Sequence, residues 1–271
     1  MPGILARGQA LQGPVDHSVP VLAVRSGDEL KAVLFGYACH DTTLNGQQYS
    51  GDWAGFAQLA FDIVHTQLPP MSSLFSCAAP IRPLHRYREL CEKYGQMLAV
   101  AVNDALRKPL TQLAPRLRTS LVEIELPFEQ VLGRKEIEPH AGRDTLRGRW
   151  ARRLLARLDN GEKFAATHPY PIRVWKLGRQ LWIGLTGEVV VDFAIRFKSQ
   201  YGDDAWIAAY TSEMLAYIPS RRVWIEGGYE GRGVYEYGIP AERWTADVED
   251  RIAKAVDGLV EQVNAGRDDA P

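Results

Sequence analysis

The sequence predicts an α/β protein in one domain, a mixed β-sheet flanked by helices. Three observations predict it. Short apolar, β-branched runs alternate along the chain with longer runs of helical period. Two pairs of the short runs are separated by tight polar turns, the mark of hairpins. No repeat, linker or low-complexity stretch divides the 271 residues, a length that α/β folds can fill as one domain.

The first hairpin pairs Val19 to Arg25 with Leu30 to Cys39 across Ser26-Gly27-Asp28. Its second strand runs into Cys39-His40-Asp41, and polar groups at the end of a buried strand are where α/β proteins tend to place sites. A helix follows Ser50-Gly51-Asp52, with Phe56, Leu59, Ala60, Ile63 and Val64 expected on its buried face. Ser73 to Cys77 reads as a strand, and Ala78 to Pro83 as loop. Arg86 to Leu106 is a long amphipathic helix, with Leu90, Tyr94, Met97, Leu98, Val100 and Ala101 as its apolar residues. Leu117 to Leu126 has strand character. The charge-rich stretch from Glu129 to Lys163 is expected to be helical and solvated, without a function of its own.

The second hairpin joins Ile172 to Leu177 with Gln180 to Leu185 and ends in Thr186-Gly187-Glu188, ahead of a helical run. Ala205 to Tyr210 is a short strand, and Tyr217 to Gly238, rich in Gly, Tyr and Arg, is an ordered irregular segment. The last helix, from about Thr245, carries Val248, Ile252, Val256, Leu259, Val260 and Val263 on one stripe.

Composition excludes several classes. Hydrophobic residues at 46% supply an ordinary core. The 32 Lys and Arg against 33 Asp and Glu leave a net charge of −1, so no nucleic acid partner is expected. No apolar run approaches the roughly 20 residues that span a bilayer. Met1 to Gln12 lack the apolar stretch of a signal peptide, so export is not expected unless the natural N-terminus is longer. The three cysteines, Cys39, Cys77 and Cys91, have no CxxC spacing and are expected to be reduced. The oligomeric state is open.

If the strands share a sheet and a direction, Cys39-His40-Asp41, Ser76-Cys77 and Thr186-Gly187-Glu188 converge. An imidazole and a carboxylate suit a catalytic zinc. On spacing alone the plainer readings are favoured, His40 as a satisfied core histidine and Glu188 as a favourable charge at a helix N-terminus.

The stretch Gly36-Tyr37-Ala38-Cys39-His40-Asp41-Thr42-Thr43-Leu44, followed by Tyr49-Ser50-Gly51-Asp52-Trp53-Ala54-Gly55-Phe56-Ala57, resembles the neutral/alkaline, non-lysosomal ceramidase family. So do Leu185-Thr186-Gly187-Glu188, and the run from Ala216-Tyr217-Ile218-Pro219-Ser220-Arg221-Arg222 to Gly228-Tyr229-Glu230-Gly231. The resemblance implies a zinc-dependent amidase that cleaves the N-acyl bond of ceramide or a related lipid. It implies His40, Glu188 and Tyr217 as metal ligands, with Tyr217 also assisting catalysis. Asp52 is expected to orient His40, its other reading being a helix N-cap. Arg221 and Arg222 are expected to face a polar head group.

The same comparison implies departures. The upstream histidine ligand of the family is expected to be missing, and Arg82 stands near the place of its serine nucleophile. The family's C-terminal immunoglobulin-like domain is expected to be absent. The alternative is a catalytically degenerate relative that binds a ligand or partner without hydrolysis. A further alternative, a hydrolase using Cys39 or Cys77 with His40, is disfavoured for the adjacent pair, because neighbours on a strand point to opposite faces.

Overall fold

The computed structural model describes residues 13–44, 49–65, 72–75 and 88–265. The expectations for Ser76, Cys77 and Arg82 lie outside them. The architecture is α/β, with mixed sheet and flanking helices. The chain divides into two compact units, Met1–Leu74 with Ala79–Lys108 and Phe75–Ala78 with Pro109–Pro271.

In the first unit, β1 (Val21–Ser26) and β2 (Glu29–Gly36) form the expected antiparallel hairpin, and β3 (Ser72–Phe75) lies beside β2. Helices α1 (Asp52–Val64) and α2 (Arg88–Leu106) pack on each other. The core of the unit is Val33 and Phe35 from β2, Trp53, Ala57 and Phe61 from α1, and Leu98, Ala99 and Val102 from α2.

The buried face of α1 differs from the expected one, and α2 buries only part of its apolar residues. Helix α1 buries Trp53, Ala54, Ala57 and Phe61, while Leu59, Ile63 and Val64 are exposed. Helix α2 buries Cys91, Gly95, Leu98, Ala99 and Val102, with Met97 and Val100 exposed. Helix α1 is apolar nearly all round, so its periodicity fits two stripes equally well. Close approach decides between them. A Cβ on Gly95 would lie 2.6 Å from Phe56 Cβ and 2.7 Å from Ala57 N, so the smallest residue of α2 sets the helix spacing.

In the second unit, a four-stranded sheet has the order β4 (Leu117–Pro127), β5 (Thr167–Leu177), β6 (Gln180–Leu185), β8 (Trp206–Ala208). The first three strands are antiparallel, and β8 runs parallel to β6. The bonds Gly178 N–H to Arg116 O and Phe128 N–H to Ala166 O extend the β4–β5 ladder on even-numbered residues of β4. The odd-numbered residues Leu117 to Glu125 therefore turn their backbone groups outward, and all five are exposed. The last helix, α8 (Val248–Ala265), packs on β4 and β5 and buries the whole predicted stripe.

Between β4 and β5 lie α3 (Arg134–Ile137), a 3₁₀ turn and α4 (Leu146–Asp159). This charge-rich stretch is more than the expected solvated surface. It buries Leu132, Ile137, Trp150, Ala151 and Leu154 as a core of their own. Arg147 lies over the rings of Trp150 and Tyr235 and pairs with Glu242. Its aliphatic stem and planar head explain how charge and core coexist here.

Gly95→Ala is expected to lower the urea midpoint of unfolding. Overpacking of about 1–3 kcal/mol outweighs the roughly 0.5–1 kcal/mol that alanine gains in a helix. A midpoint at or above the parent's would contradict the packing described for α1 and α2.

Candidate functional site

Strand β6 leaves the sheet through Thr186 and Gly187. Gly187 has φ +72°, and a Cβ there would lie 2.9 Å from Ala216 O. Only glycine turns this corner without strain. The chain then forms β7 (Glu188–Val189) before helix α5 (Val191–Tyr201) begins. Glu188 thus belongs to a strand. The acidic residue in the first turn of α5 is Asp192, so the helix-terminus reading of Glu188 does not hold.

Strand β7 pairs in parallel with β9 (Tyr217–Ile218), and the register sets Glu188 opposite Tyr217. The pairing is held by Glu188 N–H to Ala216 O at 3.2 Å and Val190 N–H to Ile218 O at 3.3 Å. Both side chains are buried, Glu188 at 7% exposure and Tyr217 at 5%. The phenol of Tyr217 donates to the Glu188 carboxylate. Burial, this bond and the negative charge of Glu188 all drive the phenol well above its ordinary pKa, with Glu230 and Tyr210 adding to the effect. Tyr229 meets Tyr217 edge to face at 5.2 Å. Trp244 donates its indole N–H to Tyr217 O at 3.0 Å.

Helix α6 (Arg221–Glu226), capped by Ser220, and α7 (Gly228–Arg232) follow directly. Arg221 donates its backbone N–H to Glu249 at 2.6 Å, and its guanidinium to Ala246 O at 3.1 Å. Arg222 forms a forked pair with Asp192 at 2.8 and 2.9 Å and a second pair with Glu226. Both guanidinium groups thus have partners within the second unit.

His40 and Asp52 belong to the first unit. His40 is half-buried, four residues beyond the end of β2. Its carbonyl accepts the indole N–H of Trp53 at 2.9 Å. Asp52 opens α1 with φ +49° and is 4% exposed. Its carboxylate accepts from Leu44 N–H and Trp53 N–H, each at 2.8 Å, tying the segment after His40 to the helix. Trp53 was not singled out in the sequence. Its aromatic character reads as core, and only the structure shows what its indole holds. Among the described residues, the strands before His40 and Glu188, β2 and β6, lie in different sheets.

Cys39 is buried, and burial with the nearby charges of Asp41 and Asp52 pushes its thiol up to about 12. A nucleophilic cysteine needs the opposite shift. Cys91 is pushed up to about 11, chiefly by burial. At pH 8 about one Cys39 thiol in ten thousand is ionised. Mass-mapped iodoacetamide labelling is therefore expected to modify Cys39 and Cys91 only after denaturation, and rapid native labelling of Cys39 would revive the thiol-hydrolase reading.

Among the described residues, no three of His, Cys, Asp and Glu form a metal-holding group. None of the helices among them is long and apolar enough to cross a membrane. No protein-family model matches the sequence, and no curated protein matches it. Solved structures do match. A ceramidase complexed with C2 superposes with a TM-score of 0.60 and 12% identity over 92% of this chain and 49% of that one. The neutral ceramidase from Pseudomonas aeruginosa gives 0.57 and 14%, over 90% of this chain and 46% of that one. The chain spans about half the length of these structures. As the sequence resemblance implies, the chain has the fold of the neutral ceramidases.

Proposed function

We propose that this chain is a hydrolase of the neutral ceramidase type, cleaving the N-acyl amide of ceramide or a related lipid with zinc as cofactor. The observation that carries the reading is the registered, buried pair of Glu188 and Tyr217. The pair sets a carboxylate and a phenol, two oxygen donors, side by side out of water.

The donor chemistry fits in part. A carboxylate oxygen is an ordinary zinc ligand, and the phenol oxygen beside it supplies a second oxygen donor. Bound zinc would lower the pKa of a water molecule to about 7 and polarise the acyl carbonyl. Glu188 and Tyr217 would hold the ion. The resemblance assigns a third ligand to His40, which a variant tests independently. The alternative role for Tyr217, off the ion and protonated, is to donate its O–H to an oxyanion at the acyl carbon.

A second reading, binding without hydrolysis, draws on Arg82, which the resemblance sets near the place of the family's serine. An arginine side chain cannot supply an alkoxide nucleophile.

Two measurements separate these readings. Metal analysis after zinc loading and dialysis is expected to show zinc in the parent, and affinity lowered by roughly a hundredfold or more in Glu188→Ala and His40→Ala. Zinc content in the parent no higher than in these variants would sink the metal reading. A fluorogenic N-acyl substrate is expected to be turned over by the zinc-loaded parent and not by Glu188→Ala. Saturable binding of the substrate without turnover would favour the binder.

A further inference from the structure

The outer rim of β4 is already in use at one end. Thr245 N–H donates to Pro127 O and Glu129 N–H to Arg243 O, each at 3.0 Å. The segment before α8 thus lies against β4 as an antiparallel strand would. Upstream of Pro127 the pairing stops, because the chain turns into α8 and runs back along β4, where Arg118 donates to Val263 O at 3.2 Å. The outward amide and carbonyl groups of Leu121, Glu123 and Glu125 continue the same row, and no strand among the described residues pairs with them.

A groove of about 630 Å³ runs beside this row, between β4 and α8. Half-buried Val122 and Ile124 form its strand side, and Ala255, Gly258 and Leu259 its helix side. Ser120 and Gln262 bond to each other across one end. Gly258 leaves the middle hollow, since a Cβ there would meet nothing within 4 Å. Glycine is unfavourable inside a helix, and no close packing requires it here, in contrast to Gly95. Arg251 and Lys254 also line the groove on the helix side, the former tied to Asp247 at 2.7 Å.

The opposite face of β4 carries Glu123 and Glu125, both exposed. Their neighbours across the ladder are Pro171 and Pro169, and neither carboxylate has an ion-pair partner among the described residues.

We propose that the rim from Leu121 to Glu125 and the groove beside it dock an extended segment of a partner protein, in which apolar residues set into the groove alternate with basic residues set against Glu123 and Glu125. Outward main-chain groups at every second residue are met in series by another strand, whereas a lipid or a helix presents no such row. The side chains of an added strand alternate between the two faces, which here are apolar and anionic. The inference stands apart from the proposed hydrolysis.

The test uses the full chain without metal and a fluorescein-labelled hexapeptide of alternating valine and lysine. One control peptide is the same sequence N-methylated throughout, which cannot donate from its main chain. The other is a block of three valines followed by three lysines. Fluorescence anisotropy is expected to rise with the alternating peptide and with neither control. Leu121→Pro removes an outward N–H that the β4–β5 ladder does not use, a change an edge strand tolerates. Gly258→Leu fills the groove from a helix position with room for a side chain. Each is expected to weaken binding about tenfold, the scale of one lost main-chain bond, with an unchanged circular dichroism spectrum. Glu123→Lys combined with Glu125→Lys is expected to weaken the lysine peptide and to admit one of alternating valine and glutamate. No binding of the alternating peptide, or equal binding by a folded Leu121→Pro protein, overturns the inference. So does a dimer in sedimentation that Leu121→Pro dissolves while the peptide stays unbound, since the occupant would then be a second copy.

Discussion

A pairing of two-residue strands, Glu188–Val189 against Tyr217–Ile218, is the constraint on which the candidate site depends. It brings a carboxylate and a phenol out of water and opposite each other, and their mutual hydrogen bond offsets the desolvation. Everything around it serves the register. Gly187 turns the chain with φ +72°, Ala216 and Ile218 carbonyls accept the amides of Glu188 and Val190, and Trp244 holds the Tyr217 carbonyl. A slip of one residue would put the two side chains on opposite faces.

Much of the fold was legible in the sequence. Both hairpins, the strand at Leu117 and the last helix appear where the apolar runs, the turn residues and the helical period put them. The face of α1 was not legible. Leu59, Ile63 and Val64 match helical spacing as well as Trp53, Ala57 and Phe61 do, and the choice depends on Gly95 in a helix distant in sequence. The small core under Trp150 was hidden by its arginines, which count as charge in composition yet pack as apolar stems.

For the site, Glu188 and Tyr217 were named from motif resemblance, and physical reasoning alone left Glu188 as a helix-terminus charge. The short strand that separates it from helix α5 carries too little pattern to be seen in one dimension. At 12 and 14% identity, the likeness to the ceramidases is a likeness of backbone path, so the chemistry rests on these few side chains.

Strand β4 carries a consequence beyond its own sheet. Its outer rim, from Leu117 to Glu125, offers backbone groups that no strand among the described residues pairs, with no proline or bulge to interrupt them. Such a rim can template the addition of a foreign strand. Glu123 and Glu125, both exposed, stand on it as like charges that a neighbouring copy would have to approach. Exposed like charges of this kind oppose the pairing of such a rim with a second copy of itself.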